Sequence, residues 1–137
     1  MKRLSLALLM STALTSCADP NSELRFEANI DKQSETQVIL TTKVTNYSDS
    51  DKTLNEIDID KSLHEKLNLS RMDGSKGEFI PIDNTYSYEV NRKITPGESV
   101  TNYFKGTTSD DFISGDVDFI IDNSIFNFRS ISVDCCK

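Results

Sequence analysis

An all-β, antiparallel sandwich is the fold class this sequence predicts, and three observations predict it. From Leu24 onward the apolar residues recur with period two, the period of a strand with one buried face. The runs are short, and turn-forming residues separate them at near-regular spacing. Helical spacing shows in a single brief stretch. The length of 137 residues agrees, because single domains cluster near ~100–150 residues.

Taken in order, Leu24 to Ile30 alternates apolar and polar residues over four apolar positions. Thr36 to Asn46 places Val38, Leu40, Thr42 and Val44 on one face and is broken by Tyr47-Ser48-Asp49-Ser50-Asp51. In Thr53 to Asp60 the pattern turns Ile57 and Ile59 inward and Asp58 and Asp60 outward. Lys61 to Leu67 then places leucines at i and i+4, with Ser62 three residues before Glu65. That is a capping-box pattern and predicts one short helical turn. Asn68 to Arg71 can resume as a strand. Glu78 to Ile82 carries Pro81, which suits an edge strand. Tyr86, Tyr88, Val90 and Ile94 alternate along the next strand, with Arg92 interrupting that face. Thr95-Pro96-Gly97-Glu98 reads as a turn by its Pro-Gly pair. Ser99 to Lys105 is a strand, and so is Asp116 to Asp122, with Val117, Phe119 and Ile121 on one side. Asn123-Ser124 makes a tight connection to a last strand, Ile125 to Val133. The total is seven or eight strands with one short helical turn.

The first residues have a different character. Lys2 and Arg3 precede the apolar run Leu4 to Met10, which is too short to cross a bilayer as a helix. A basic start, a short apolar core and small residues before a cut site make a secretory signal. Here Leu14-Thr15-Ser16 stands directly before Cys17. This order resembles the signal peptide and lipobox of bacterial lipoproteins. The resemblance implies cleavage before Cys17, a diacylglyceryl lipid on its sulfur and anchoring to a membrane. It also implies that Ala18, rather than Asp, after the cysteine favours the outer membrane in a Gram-negative cell. Removing residues 1–16 leaves 121 residues, and losing Lys2 and Arg3 with them takes the formal charge from -7 to -9. Residues 17–22 then form the lipidated cysteine and a short polar tether that keeps the domain close to the membrane. Residues 23–134 form the domain, and 135–137 a Cys-Cys-Lys tail.

Two short motifs narrow the sandwich. Val44-Thr45-Asn46-Tyr47-Ser48 is a strand ending in Asn with a polar turn, and Ile94-Thr95-Pro96-Gly97-Glu98-Ser99 is a proline-glycine turn between strands. In both respects the region resembles the Ig-like β-sandwich domains of bacterial lipoproteins, which implies a fold and no activity. The chain has no Trp, and none of its cysteines falls in the strands where antibody-type domains place theirs. The sandwich must therefore be held by the packing of Val, Ile, Leu, Phe and Tyr.

Little material for catalysis is present. His64 is the single histidine, sits among polar neighbours and reads as a solvated surface residue. No GxSxG or HExxH pattern accompanies it. Asp49-Ser50-Asp51, Asp58-Ile59-Asp60, Asp110-Asp111 and Asp116-Val117-Asp118 could offer oxygens to calcium, yet Asp-x-Asp also describes the polar face of a strand. Met72 to Gly77 reads more economically as a turn than as a calcium loop. No metal or cofactor is expected. Tyr47, Tyr86, Tyr88 and Tyr103 could form a ligand platform, but the strand spacing of Tyr86 and Tyr88 with Val90 and Ile94 favours packing. Cys135-Cys136 leaves several states open in an oxidising compartment: a strained vicinal disulfide, an interchain disulfide, mixed disulfides or free thiols. The formal charge of -7 argues against a nucleic-acid partner. These features together predict a non-enzymatic envelope lipoprotein that binds or scaffolds another envelope protein. The alternative is an inhibitor or immunity lipoprotein acting on an envelope enzyme or toxin.

Overall fold

The computed structural model describes residues 23–108 and 114–132, with side chains as far as Phe126. Cys17, the expected signal and tether segments, Asp110-Asp111 and the Cys135-Cys136 pair lie outside the described residues. The strands are β1 (Leu24–Lys32), β2 (Gln37–Asn46), β3 (Lys52–Asp60), β4 (Ser70–Arg71), β5 (Glu78–Ile80), β6 (Thr85–Ile94), β7 (Ser99–Thr107), β8 (Ser114–Ile121) and β9 (Ser124–Ser132). A helix, α1 (Lys61–Leu67), lies between β3 and β4. Two antiparallel sheets form, one ordered β1-β2-β7-β4 and the other β5-β6-β3-β8-β9. In the first, β1-β2-β7 matches the A-B-E order of an immunoglobulin-type sandwich. In the second, β3-β8-β9 matches C-F-G, with β6 added beside β3. The expected sandwich with a short helix is therefore the fold. The described residues hold nine strands because the short β4 is a separate element.

Alternation explains most of the core. Leu24, Phe26, Ala28 and Ile30 of β1 are buried, as are Val38, Leu40, Thr42 and Val44 of β2. Val117, Phe119 and Ile121 of β8 face them from the other sheet, and Phe26 meets Phe119 at 5.0 Å between ring centroids. β3 departs from strict alternation. A bulge between Leu54 and Glu56 lets Leu54 and Ile57, three residues apart, both reach the core. Period-two reading found Ile57 and Ile59 and passed over Leu54. As expected, β5 forms a sheet edge, but it ends at Ile80, before Pro81, rather than running on to Ile82.

Three local expectations are corrected. The last hairpin turns at Asp122-Asn123, one residue earlier than predicted, with φ of 50° and 66°. Positive φ at both central residues suits a type I′ turn, which matches the strand twist and which Asp and Asn tolerate. The capping box of α1 does not form. Ser62 Oγ donates to Asp60 Oδ2 at 2.6 Å, and the Glu65 carboxylate accepts from the Tyr86 hydroxyl instead. Asp58 lies on the outer face as expected, yet it is 7% exposed. On the central strand β3 it stands between Ser87 and Asp118, its cross-strand neighbours. Ser87 hydrogen-bonds the carboxyl, but Oδ1 has no partner. Burial raises its pKa from 3.8 to about 6 against the opposing Ser87 bond, and the negative charges of Glu56, Asp118 and Asp83 add to the rise.

The two motifs that carried the family resemblance meet at one end of the sandwich. Asn46 is fully buried, and its Nδ2 donates to the Ser50 and Ile94 carbonyls, both at 2.8 Å. Its Oδ1 accepts from Ser48 N at 2.9 Å and Ser48 Oγ at 2.6 Å. Gly97, at φ 86° in the Pro-Gly turn, donates its N–H to the Asn46 carbonyl at 2.7 Å. One asparagine thus joins the end of β2, the following turn and the β6–β7 turn.

Candidate functional site

The opposite end of the sandwich is closed by α1. Leu63 and Leu67, at i and i+4, are its buried face. They settle on two glycines. A Cβ on Gly115 would stand 2.5 Å from Leu63 Cβ, and one on Gly106 would stand 2.4 Å from the Leu67 carbonyl oxygen. The helix can approach β7 and β8 this closely because neither position carries a side chain. Asn68 ends α1 in the left-handed conformation at φ 49°, and the amides of Asn68 and Leu69 return to the Glu65 and His64 carbonyls.

That seat turns His64 toward β6, which corrects the expectation of a solvated histidine. The ring is half-buried, stacked on Tyr86 at 4.0 Å and 10° and 5.7 Å from Tyr88. Its Nε2 lies 2.5 Å from the Tyr88 hydroxyl, which also receives a backbone hydrogen bond from Gly77. With the imidazole neutral, Tyr88 O–H donates to Nε2 while Gly77 N–H donates to the tyrosine oxygen, so both Nε2 and the Tyr88 hydroxyl are satisfied. Burial lowers the His64 pKa below 6.5, outweighing the opposite pull of Glu65. Burial likewise raises the pKa of Tyr88. Tyr86 OH donates to Glu65 Oε2 at 2.9 Å, and Lys61 Nζ pairs with Glu65 Oε1 at 3.3 Å. The Tyr86 bond, followed by the Lys61 bond, lowers the Glu65 pKa. Two of the four tyrosines therefore pack as expected: Tyr88 is in the core and Tyr86 lies against it. Tyr47 and Tyr103 are exposed.

Beside this stack a cleft of about 510 Å³ opens between α1, β4 and the 72–77 turn. Arg71 braces its floor. Nη1 donates to the Glu89 carbonyl on β6 at 2.6 Å and Nη2 to Asn102 Oδ1 on β7 at 2.5 Å, so one guanidinium clasps the two sheets. Its Nε faces Asp73 Oδ2 at 3.5 Å. Asp73 also folds its own turn, accepting from Ser75 N and Ser75 Oγ at 2.8 Å each. Those two bonds hold its carboxyl below the usual range. The turn predicted at Met72 to Gly77 is present, with Gly74 at φ 91°.

His64, Arg71, Lys76 and Lys105 line the cleft, and among the described residues no carboxylate lines it. Lys76 and Lys105 have no hydrogen-bond or ion-pair partner among the described residues, whereas Lys61, Lys93, Arg25 and Arg71 each face an acid. A second hollow of about 440 Å³ lies across β4 and shares Ser70, Met72 and Lys105 with the first. Sequence reading singled out His64 but not the lysines. They stand 29 residues apart in no motif, and only their shared position beside β4 relates them. Asp58 and Asp118 meet as cross-strand neighbours of β3 and β8, but among the described residues no group of three or more His, Cys, Asp or Glu could hold a metal ion.

No family model matches the chain, and no curated protein matches it. Among solved structures it is similar to the yeast GGA1 GAE domain (TM-score 0.47, 11% identity), covering 83% of this chain and 91% of that one. It is also similar to the Northeast Structural Genomics Consortium target SoR45 (TM-score 0.44, 12% identity), covering 84% and 88% of the two chains. The GH20 exo-β-N-acetylglucosaminidase of Vibrio harveyi matches at TM-score 0.43 and 12% identity, over 80% of this chain but 18% of the enzyme. Likeness at this level carries no argument about activity.

Proposed function

We propose that the chain is a membrane-anchored envelope lipoprotein, held by lipid on Cys17, whose Ig-like sandwich is a non-enzymatic binding module for an envelope partner. The cleft beside β4 carries the binding part of this reading: it is open, and two of its lining lysines have no protein partner among the described residues. The His64–Tyr88 pair supports it as well. Nε2 is occupied by the Tyr88 hydroxyl, so the imidazole acts as a wall of the cleft rather than as a poised base. The anchor rests on the order of basic start, apolar run, Leu14-Thr15-Ser16 and Cys17. Two acyl chains hold a protein at a membrane far longer than one, since each buried methylene contributes ~0.8 kcal/mol.

Metabolic labelling with radioactive palmitate tests the anchor. Label should enter the native chain and disappear in Cys17→Ser, while label that persists in the variant overturns lipidation at that residue. Co-purification from detergent-solubilised envelopes tests the module. A stoichiometric partner should be retained by the native chain and lost on charge reversal of Lys76 and Lys105 to Glu. Retention of the same partner by the reversed chain overturns the cleft as its binding site.

A further inference from the structure

We propose that the cleft between α1, β4 and the 72–77 turn binds the phosphate-type oxyanion of a small ligand, with Lys76 and Lys105 as its ion-pairing side chains. The inference rests on reading the sandwich as a binding module and names the chemistry that the module recognises.

Charge is the first argument. The chain has 22 acidic and 15 basic residues. Among the described residues Arg25, Lys61, Arg71 and Lys93 each pair with an acid. Lys43, Lys52 and Arg92 pair with none, but they do not line the cleft. Lys76 and Lys105 meet none among the described residues, although they come from separate elements, the 72–77 turn and β7. The nearby Asp73 does not line the cleft, because Ser75 and Arg71 hold it in its own turn. Its charge offsets that of Arg71 and leaves the two ammonium groups uncompensated.

Donor type is the second argument. Planar, two-point recognition of a carboxylate calls for a free guanidinium fork. All three nitrogens of Arg71 are engaged, by Glu89, Asn102 and Asp73. What remains are two ammonium groups, compact charges whose attraction grows with ligand charge rather than with planar fit. A tetrahedral dianion suits them better than a carboxylate. The volume of about 510 Å³ exceeds that of a bare phosphate and falls within the ~300–1,000 Å³ of small-molecule sites. The ligand therefore carries an organic part, which would lie against Leu69, Met72 and the His64–Tyr88 wall.

The single histidine reports on occupancy. Glu65 of α1 and Tyr86 and Tyr88 of β6 face His64, and Arg71 of β4, Lys76 and Lys105 line the same cleft. An anion seated beside the ring favours the imidazolium, and by linkage its binding must raise the histidine titration midpoint.

The test is an NMR titration of the full chain in neutral detergent with inorganic phosphate, against chloride at equal ionic strength. Saturable shifts are expected at the amides of residues 74–77 and Lys105. The His64 midpoint, below 6.5 without phosphate, should move upward at saturation. The double variant Lys76→Gln with Lys105→Gln alters two exposed side chains and should weaken binding about tenfold at unchanged thermal stability. Glycerol phosphate competing for the same amides assigns a soluble ligand. Competition confined to vesicles containing phosphatidic acid, with phosphatidylcholine vesicles inert, assigns a lipid headgroup. Shifts that stay linear in phosphate, or that the double variant leaves intact, overturn the proposal. Surviving palmitate label in Cys17→Ser together with saturable phosphate binding would overturn only the anchor. Loss of that label with no phosphate binding would overturn only this inference.

Discussion

The two ends of the sandwich treat polar groups in opposite ways. At one end Asn46 is sealed from solvent, and its side chain donates twice and accepts twice within the protein. At the other end Lys76 and Lys105 are exposed, unpaired among the described residues and beside open space. A buried polar group must find its partners inside the fold or cost ~1–3 kcal/mol, so a satisfied one specifies structure. Two charges that the fold leaves uncompensated beside a cleft are available for something outside it. The first end reads as architecture, and the second is where the proposed binding lies.

Asn46→Ala should break the first end with the largest effect. It removes four hydrogen bonds and strands the buried Ile94 carbonyl, so a loss of about 3 kcal/mol is expected in urea unfolding at pH 7. A loss below about 1 kcal/mol would mean that water replaces the asparagine and that the end is not sealed. Gly106→Ala probes the other end. The added methyl would meet the Leu67 carbonyl and Leu69, forcing α1 off β7 at a cost of about 2 kcal/mol. Because α1 carries His64 and Gly106 packs beneath it, the same change should also disturb phosphate shifts in the cleft, which Asn46→Ala should leave alone. Equal disturbance by both would show that the ends are not independent.

Asp58 is the intermediate case, buried but only half satisfied. Its folded pKa, about 6, lies above the 3.8 of the unfolded chain. The folded form therefore binds the proton more tightly, and stability is greatest below pH 3.8 with respect to this group. That contribution is lost as pH rises through about 6, by on the order of 2 kcal/mol. Asp58→Asn should accordingly stabilise the protein by about 1–2 kcal/mol at pH 7 and flatten the slope between pH 4 and 6. His64 acts in the opposite sense. Its lowered pKa contributes stability above pH 6.5 that is lost as pH falls through the folded value, so the Asn variant should expose a rising limb near neutrality. An unchanged slope in Asp58→Asn would show that Asp58 is solvated.

Much of this architecture was legible from local pattern. The alternation of β1, β2 and β8 located their buried residues, and the leucines at 63 and 67 located the inner face of α1. Most of the failures share one cause, which is that a neighbouring strand overrode the local signal. The β3 bulge brought Leu54 inward out of phase, and the strands on either side of β3 covered an aspartate that its own strand turned outward. Tyr86 took the Glu65 carboxylate that the capping box needed, and with Tyr88 it took the histidine that its polar neighbours had placed in water.

Sequence alone determined the strand pattern and the place of the helix, and it alone carries the order of residues ahead of Cys17 on which the proposed anchor rests. Each of these is written in spacings of a few residues, over which backbone geometry repeats. Only the tertiary structure decided that Asn46 would tie two turns together, that Gly106 and Gly115 would seat a helix, and that Lys76, Lys105 and Arg71 would share one cleft. Those groupings join residues tens of positions apart. They come from strand order and register, which follow from how the whole set of apolar faces can be buried at once and which no single segment carries.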